Sequence, residues 1–115
     1  MTNNTNNTNT HRVEFLNQVC VAARREGDLA YLIANGGEFG NIKKAIVDIK
    51  NASTEAKNAW LMWTNGKDEE FETVGKKHDE TDNEYTRRIM LVQTRENLKY
   101  LAPIVARIYG AYVID

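Results

Sequence analysis

The apolar positions of this chain recur at helical spacing over most of its length. In the first segment, Val13, Leu16, Cys20 and Ala23 fall three or four residues apart. The same spacing recurs in three later segments, residues 42–49, 56–63 and 91–112. Only the final AYVID hints at a strand, and one strand cannot form a sheet. The pattern predicts an all-α fold, a small helical bundle of about five or six helices.

Residues that break or cap helices divide the first half of the chain. Gly27 is expected to end the first helix and Asp28 to cap a short second helix over residues 29–34, with a single bent helix through Gly27 as the alternative. Asn41 is a candidate N-cap for the next helix, and residues 51–53 (Asn-Ala-Ser) are expected to interrupt it. Asn65 and Gly66 are expected to end the following helix. These signals predict four helices before residue 67.

The second half of the chain contains either one long helix or two. Gly75 and the polar run KKHDETDN weaken the apolar stripe. Thr81 and Glu84 have the spacing of a capping box, which can start a new helix. Pro103 lies inside the last apolar stripe, so the helix must kink there or restart with proline in its first turn.

The first ten residues, MTNNTNNTNT, are a near repeat of Thr and Asn. They contain no apolar side chain after Met1, so burial cannot offset the entropy lost on ordering. We expect residues 1–10 to form a disordered arm. Residues 11–115 are then of a size that suits a single all-α domain.

Composition and charge restrict the functional classes. Hydrophobic residues make up 42% of the 115 residues, and the net charge of -1 does not favour nucleic acid or an anionic membrane as a partner. The most apolar segment contains Arg107 and is too short to span a bilayer. The single cysteine excludes an internal disulfide, and no secretion signal is recognisable. A cytoplasmic protein is therefore expected.

The stretch IANGGEFGNIKKAI raises the question of a phosphate site. A glycine-rich turn before a helix N-terminus can bind phosphate, and Lys43 and Lys44 would add positive charge. However, the stretch lacks the G-x-x-x-x-G-K-[ST] pattern and does not follow a predicted strand. We expect a connector between helices, with Gly36 or Gly37 in the left-handed conformation and Lys44 paired with Asp48.

A second candidate ligand surface lies on the last helix. Arg88, Arg95 and Lys99 fall near one face, and several tyrosines lie in the same region. Basic and aromatic groups together can hold a nucleotide or other phosphate. A competing interpretation is a mixed helix surface in which Glu84 pairs with Arg88. The candidate ligand-binding residues are Lys43, Lys44, Arg88, Arg95 and Lys99.

Signals of catalysis or metal binding are weak. His78 and Asp82 would lie one helical turn apart and could share a cation, but no zinc or calcium motif surrounds them. Cys20 falls on an apolar stripe, which predicts a buried side chain. Four carboxylates could contribute to a magnesium-dependent site, but such sites usually draw ligands from two facing helices and the sequence shows no second set: Glu69, Glu72, Glu80 and Glu84. We expect no catalytic residue, metal or cofactor; enzymatic activity stays open but is not favoured.

Surplus apolar surface points to self-association. Trp60 and Trp63, with Leu61 and Met62 beside them, make their helix apolar on almost every side. The leading hypothesis is a non-enzymatic interaction or assembly protein, a self-associating accessory or regulatory subunit with possible protein partners. The alternative is a small-ligand binder for an anionic molecule. The predicted interface residues are Trp60, Trp63, Leu91, Leu98, Leu101, Val105 and Ile108.

Overall fold

The computed structural model describes residues 4–110, with side chains for residues 9–110. Its elements are α1 (Asn4–Ala34), α2 (Phe39–Thr64), α3 (Asp68–Phe71) and α4 (Asp82–Tyr109). Residues 4–110 contain no strand, which confirms the all-α class, while the AYVID segment lies outside them. Within this range, no helix combines the length and hydrophobicity needed to cross a membrane.

Residues 4–110 form four helices rather than the predicted five or six, because two predicted breaks do not occur. Helix α1 continues through Gly27, so the single-helix alternative is the correct one. Helix α2 continues through residues 51–53. Leu29, just beyond Gly27, is buried, as are Ala52 and Ser53 within the second expected break. Burial of residues at or beside each weak point therefore overrides the unfavourable local propensity.

Two separate helices, α3 and α4, occupy the second half of the chain, joined by the loop at residues 72–81. The predicted capping box at the start of α4 is confirmed. The Glu84 backbone N–H donates to Thr81 Oγ1 (3.1 Å), and the Thr81 backbone N–H donates to Glu84 Oε1 (2.8 Å). Helix α4 then runs through Pro103 without restarting.

The glycine turn connects α1 to α2. Gly36 has φ +66°, in the left-handed region, as expected for the end of a helix. The Gly37 backbone N–H donates to the Leu32 carbonyl at 2.7 Å. The N-cap of α2 is Glu38 rather than the predicted Asn41. Asn65, also left-handed at φ 54°, ends α2 as predicted.

Helix α4 lies along the α1/α2 hairpin and contributes to two apolar clusters. At one end, Trp60 packs edge-on against Phe71, with ring centroids 5.4 Å apart. The buried members of this cluster are Phe15, Val19, Ala22, Ala52, Ala56, Ala59, Trp60, Trp63, Phe71 and Leu91. The other cluster contains Leu29, Ile42, Ala45, Ile46, Ile49, Leu98 and Val105. One face of α4 thus completes both clusters, which fixes its position on the hairpin.

The predicted disordered arm lies partly outside the described residues. Helix α1 begins at Asn4, and the first two described side chains, Asn9 and Thr10, are exposed. Disorder of residues 1–10, and a single domain over residues 11–115, stay predictions.

Candidate functional site

Helix α4 packs on the hairpin through one face and leaves a groove on each side. The α1/α4 groove is lined by Ala23, Glu26, Gly27, Ala30, Ile33, Ala34, Asn97, Tyr100 and Leu101. The α2/α4 groove is lined by Lys50, Ser53, Thr54, Arg95, Leu98, Lys99, Ala102 and Pro103. Clefts between helices are common places for ligands and partners to bind. The two grooves are therefore the candidate sites.

The α1 wall of the α1/α4 groove consists largely of small residues. Ala23, Gly27, Ala30 and Ala34 recur at helical spacing, and all four are exposed. A Cβ added at Gly27 would meet no atom within 4 Å, so the space above this position is empty. Small residues on a helix allow the backbone of another helix to approach closely.

The α4 wall of the same groove carries large apolar side chains. Tyr100 lines the groove, and Ile104 and Ile108 follow it one and two turns later on the same side of the helix. These three side chains, which we call the α4 stripe, are 74%, 43% and 62% exposed. The stripe contains no charged residue. The groove therefore lies between large exposed apolar side chains on α4 and small residues on α1.

One carboxylate lies in the α1/α4 groove, and it is already hydrogen-bonded. Glu26 Oε1 accepts a hydrogen bond from Thr94 Oγ1 (3.1 Å), and Glu26 Oε2 accepts one from Asn97 Nδ2 (3.3 Å). These bonds tie α1 to α4 and hold the carboxylate against the helices. The remaining lining residues of the groove are uncharged.

The α2/α4 groove has a different chemistry. Its volume is about 440 Å³, within the usual range for a site that binds a small molecule. Leu98, Ala102 and Pro103 make its α4 wall apolar. Ser53 on α2 is 3% exposed, and its Oγ is buried without a hydrogen-bond partner among the described residues.

Three cations stand around the α2/α4 groove. Arg95 Nη1 lies 3.2 Å from Glu72 Oε2, and Lys99 Nζ lies 2.9 Å from Glu96 Oε1. Both pairs are substantially exposed, and exposed ion pairs of this kind contribute little to stability. The Lys50 ammonium makes no ion pair within residues 9–110. The lining of the groove therefore contains three cations and no Asp or Glu.

Arg88 does not belong to this basic surface. Its side chain is fully buried, and its Nε donates to Glu80 Oε2 at 2.7 Å. Other guanidinium hydrogens are accepted by the backbone carbonyls of Phe71, Thr73 and Gly75. Arg88 thus fastens the loop at residues 72–81 to α4, and its hydrogen bonds are used within the chain.

The expected pairing of Glu84 with Arg88 is wrong. Glu84 instead accepts a hydrogen bond from Arg12 of α1, with Arg12 Nε 2.9 Å from Glu84 Oε2. Helix α4 begins just before Glu84, so the preceding loop folds back and brings Glu80 to Arg88. The ion-pair partners of Glu84 and Arg88 are therefore determined by the position of the loop in the fold and not by helical spacing.

Glu80 remains ionised in this buried environment. Burial by itself would raise the pKa of Glu80. Hydrogen bonds from Arg88, from the Lys77 backbone N–H and from the Trp60 indole outweigh burial and lower the pKa below its ordinary value. The Trp60 Nε1–H donates to Glu80 Oε2 at 2.8 Å. Glu80, Arg88 and Trp60 form a buried unit, called the clasp below, that joins α2, α4 and the loop.

The five predicted ligand-binding residues separate into three places. Arg95 and Lys99 line the α2/α4 groove together, whereas Arg88 is buried in the clasp. Lys43 and Lys44 are exposed near the start of α2 and do not line that groove. Lys44 Nζ lies 3.3 Å from Asp48 Oδ2, as predicted.

Most of the predicted interface residues are covered by the chain itself. Trp60 is fully buried and Trp63 is 9% exposed, so a large part of the surplus apolar surface lies inside this fold. Leu91, Leu98 and Val105 are also buried, whereas Leu101 is half-buried and Ile108 is 62% exposed. Of the predicted interface residues, only Ile108 is largely exposed on the surface of α4.

The structure does not bring the candidate residues for metal binding or nucleophilic chemistry into a common site. His78 lies in the loop with φ 42° and contacts Glu70 (Nε2 to Oε1, 3.2 Å), while Asp82 pairs with Lys76 (2.7 Å). Within the described part of the chain, no group of three or more His, Cys, Asp or Glu residues could hold a metal ion. Cys20 is exposed rather than buried, because Val19 and Ala22 point into the core instead.

Ser53 is the member of the α2/α4 groove that sequence reasoning treated differently. The sequence places it among residues 51–53, which are expected to interrupt a helix, whereas in the structure it lies inside α2. A signal for its true place exists, since Ser53 lies four residues after Ile49 and three before Ala56 on the apolar stripe of α2. A hydroxyl on an apolar stripe indicates a buried polar group that needs a partner.

Comparisons with known proteins add no family or relative. The chain matches no protein-family model, and searches of curated proteins and of solved structures find no significant match. A function is therefore inferred from the grooves, contacts and charges of this chain.

Proposed function

We propose that this protein is a non-enzymatic interaction or assembly protein that self-associates through its α1/α4 groove. The observation that carries the proposal is the uncharged α4 stripe (Tyr100, Ile104 and Ile108), exposed beside a wall of small residues. A contiguous exposed apolar surface on a helical protein commonly marks an interaction site. A further helix placed in the groove would bury the stripe and complete a four-helix arrangement with α1, α2 and α4.

A second copy of α4 is the occupant that fits this groove. Because the stripe has no charge, two copies can meet across a two-fold axis without like-charge repulsion. Tyr100 and Arg107 lie two turns apart on one edge of the stripe. An antiparallel pairing brings Arg107 to the partner's Tyr100, where a cation–π contact can form, and the contact occurs twice in the dimer.

The wall of small residues supports close approach of the second helix. Ala30 and Ala34 keep the surface of α1 low, and Gly27 leaves room that its own chain does not use. Glycine inside a helix is destabilising by roughly 0.5–1 kcal/mol relative to alanine. Burial against a neighbouring copy would offset that cost, because the absent side chain lets the two backbones pack closely.

Sedimentation velocity on the full chain, from about 1 to 200 µM, tests the proposal. We expect a concentration-dependent dimer. Ile104→Glu should weaken it by about 100-fold, because each copy would bury an unpaired carboxylate. Val47→Glu is the matched control: Val47 is a β-branched helical residue, 38% exposed, that lines neither groove. Its dimer should be unchanged.

A second variant examines the groove from its other wall. Gly27→Leu places a branched side chain in the space above α1, where an added Cβ meets no atom within 4 Å. We expect a folded monomer. A wild-type chain that stays monomeric at the highest concentration would overturn the proposal, as would equal weakening by Ile104→Glu and Val47→Glu.

A further inference from the structure

The α2/α4 groove contains a buried hydroxyl that lacks a partner. Ser53 Oγ makes no hydrogen bond in the described part of the chain, although a serine inside a helix can donate to the carbonyl four residues earlier. Its neighbour Thr54 does so, donating to the Lys50 carbonyl at 3.1 Å. A buried polar group without a partner is unfavourable, so its position beside an open groove points to a ligand that supplies the acceptor.

The charges around this groove define the acceptor. Lys50 on α2, with Arg95 and Lys99 on α4, gives three cations and no lining carboxylate. Lys50 makes no ion pair within residues 9–110, and the other two cations use exposed carboxylates that a ligand can replace. Cations from two helices converging on one groove favour an anionic group.

The walls of the groove define the rest of the ligand. Leu98, Ala102 and Pro103 present an apolar surface. No aromatic ring lines the groove among the described residues, so a nucleotide base would have no side chain on which to stack. The chemistry therefore fits an aliphatic tail better than a nucleotide.

We propose that the α2/α4 groove binds a small amphiphile that has an anionic head, either a carboxylate or a phosphate monoester, and a short aliphatic tail. The head accepts hydrogen bonds from the cations and from the Ser53 hydroxyl, while the tail lies against Leu98, Ala102 and Pro103. This site is separate from self-association, because it lies on the other side of α4 from the α4 stripe.

Titrations of the full chain with four probes, followed by amide NMR and calorimetry, test this site. Octanoate and octyl phosphate should bind and shift the amide resonances of Ser53, Leu98 and Ala102. The stronger of the two identifies the preferred head group. Octanol lacks the charge and inorganic phosphate lacks the tail, so each should bind at least about tenfold more weakly.

Variants assign the contacts. Lys50→Ala and Arg95→Ala should each weaken octanoate and octyl phosphate binding by about tenfold. Lys43→Ala is the matched control, because Lys43 is an exposed lysine on the same helix that does not line the groove. Ser53→Ala should weaken binding while raising the stability of the free protein, since it removes an unpartnered buried hydroxyl. A purely structural serine would not give that combination.

The titrations also contain the results that would overturn the site. Shifts confined to Ala30 and Tyr100 would place the amphiphile in the α1/α4 groove instead. Equal affinity of Lys50→Ala, Arg95→Ala and wild type would show that the cations do not bind the head group. If neither anionic probe binds at millimolar concentration, the proposed site does not exist. Repeating the titration with Ile104→Glu shows whether binding is independent of self-association.

Discussion

Arg88 and Glu80 form a fully buried ion pair, with Arg88 Nε 2.7 Å from Glu80 Oε2. The pair joins α4 to the loop at residues 72–81, and the Trp60 indole donates to the same carboxylate oxygen. Because the guanidinium also serves backbone carbonyls of the loop, removal of either partner leaves several buried polar groups unsatisfied. We therefore expect the clasp to be highly sensitive to single substitutions.

Breaking the clasp should be strongly destabilising. Arg88→Met leaves the Glu80 carboxylate buried without its cation, and we expect a loss of about 3–5 kcal/mol in the free energy of unfolding. The neighbouring Arg87 is half-exposed and offers a control, since Arg87→Met should change stability by less than about 0.5 kcal/mol. Urea unfolding followed by circular dichroism measures both. Equal effects of the two substitutions would contradict the importance of the clasp.

The clasp should also make stability depend on pH. The pKa of Glu80 is lowered in the folded protein, although burial acts in the opposite direction. The unfolded chain therefore takes up the proton first as pH falls, near the ordinary value of 4.5. The stabilisation is complete above that value and is lost as pH falls from it towards the lower folded pKa.

Unfolding free energies measured between about pH 7 and pH 3 test this dependence. Wild type should lose more stability over this range than Glu80→Gln, whose side chain does not titrate. Glu70 and Asp82 also have lowered pKa values, but they act in both proteins, so the difference between the two curves isolates Glu80. Parallel curves would show that the Glu80 pKa is the same in the folded and unfolded states.

The two tryptophans should differ in their response to the same substitution. Trp60 Nε1 donates to Glu80 Oε2 at 2.8 Å, whereas Trp63 Nε1 is buried and has no partner among the described residues. Both Trp→Phe changes remove the same volume, but only Trp60→Phe removes one of the hydrogen bonds that the buried Glu80 carboxylate accepts. We expect Trp60→Phe to cost about 1–2 kcal/mol more than Trp63→Phe. Urea unfolding measures both losses. An equal or larger loss of stability for Trp63→Phe would refute the prediction.

Gly27 and Gly36 should respond in opposite directions to alanine. Neither added Cβ meets an atom within 4 Å, so backbone conformation alone separates them. Gly27 lies within α1, and Gly27→Ala should stabilise the protein by about 0.5–1 kcal/mol. Gly36 has φ +66°, and Gly36→Ala should destabilise by about 1–2 kcal/mol. Thermal unfolding at low protein concentration measures both stability changes. If the two substitutions change stability in the same direction, backbone conformation does not determine their effects.

The sequence predicts the cationic residues on the α4 wall of the α2/α4 groove but not the residues on its α2 wall. Arg95 and Lys99 are four residues apart on one helix, so their shared face follows from helical spacing. Lys50 and Ser53 belong to α2, more than forty residues earlier in the chain, and no local pattern links them to α4. Their meeting depends on how the helices pack, so the sequence predicts Arg88 as a ligand-binding residue beside Arg95 and Lys99 but does not predict Ser53.

The sequence by itself determined the features that depend on neighbours within about one helical turn. These include the all-α class, the Thr81–Glu84 capping box, the left-handed end of α2 at Asn65 and the Lys44–Asp48 pair. Each involves groups three or four residues apart, or the conformational preference of one residue, so local physics suffices.

Only the tertiary structure decided which weak points remain helical and which distant groups meet. Gly27 and residues 51–53 have poor helix propensity, but burial of the residues around them outweighs it. Helical spacing predicts an ion pair between Glu84 and Arg88. In the structure, Arg88 pairs instead with Glu80 of the loop, and Glu84 pairs with Arg12. Such choices depend on burying charges and rings from separate segments together, and the spacing of residues along one segment does not contain that information.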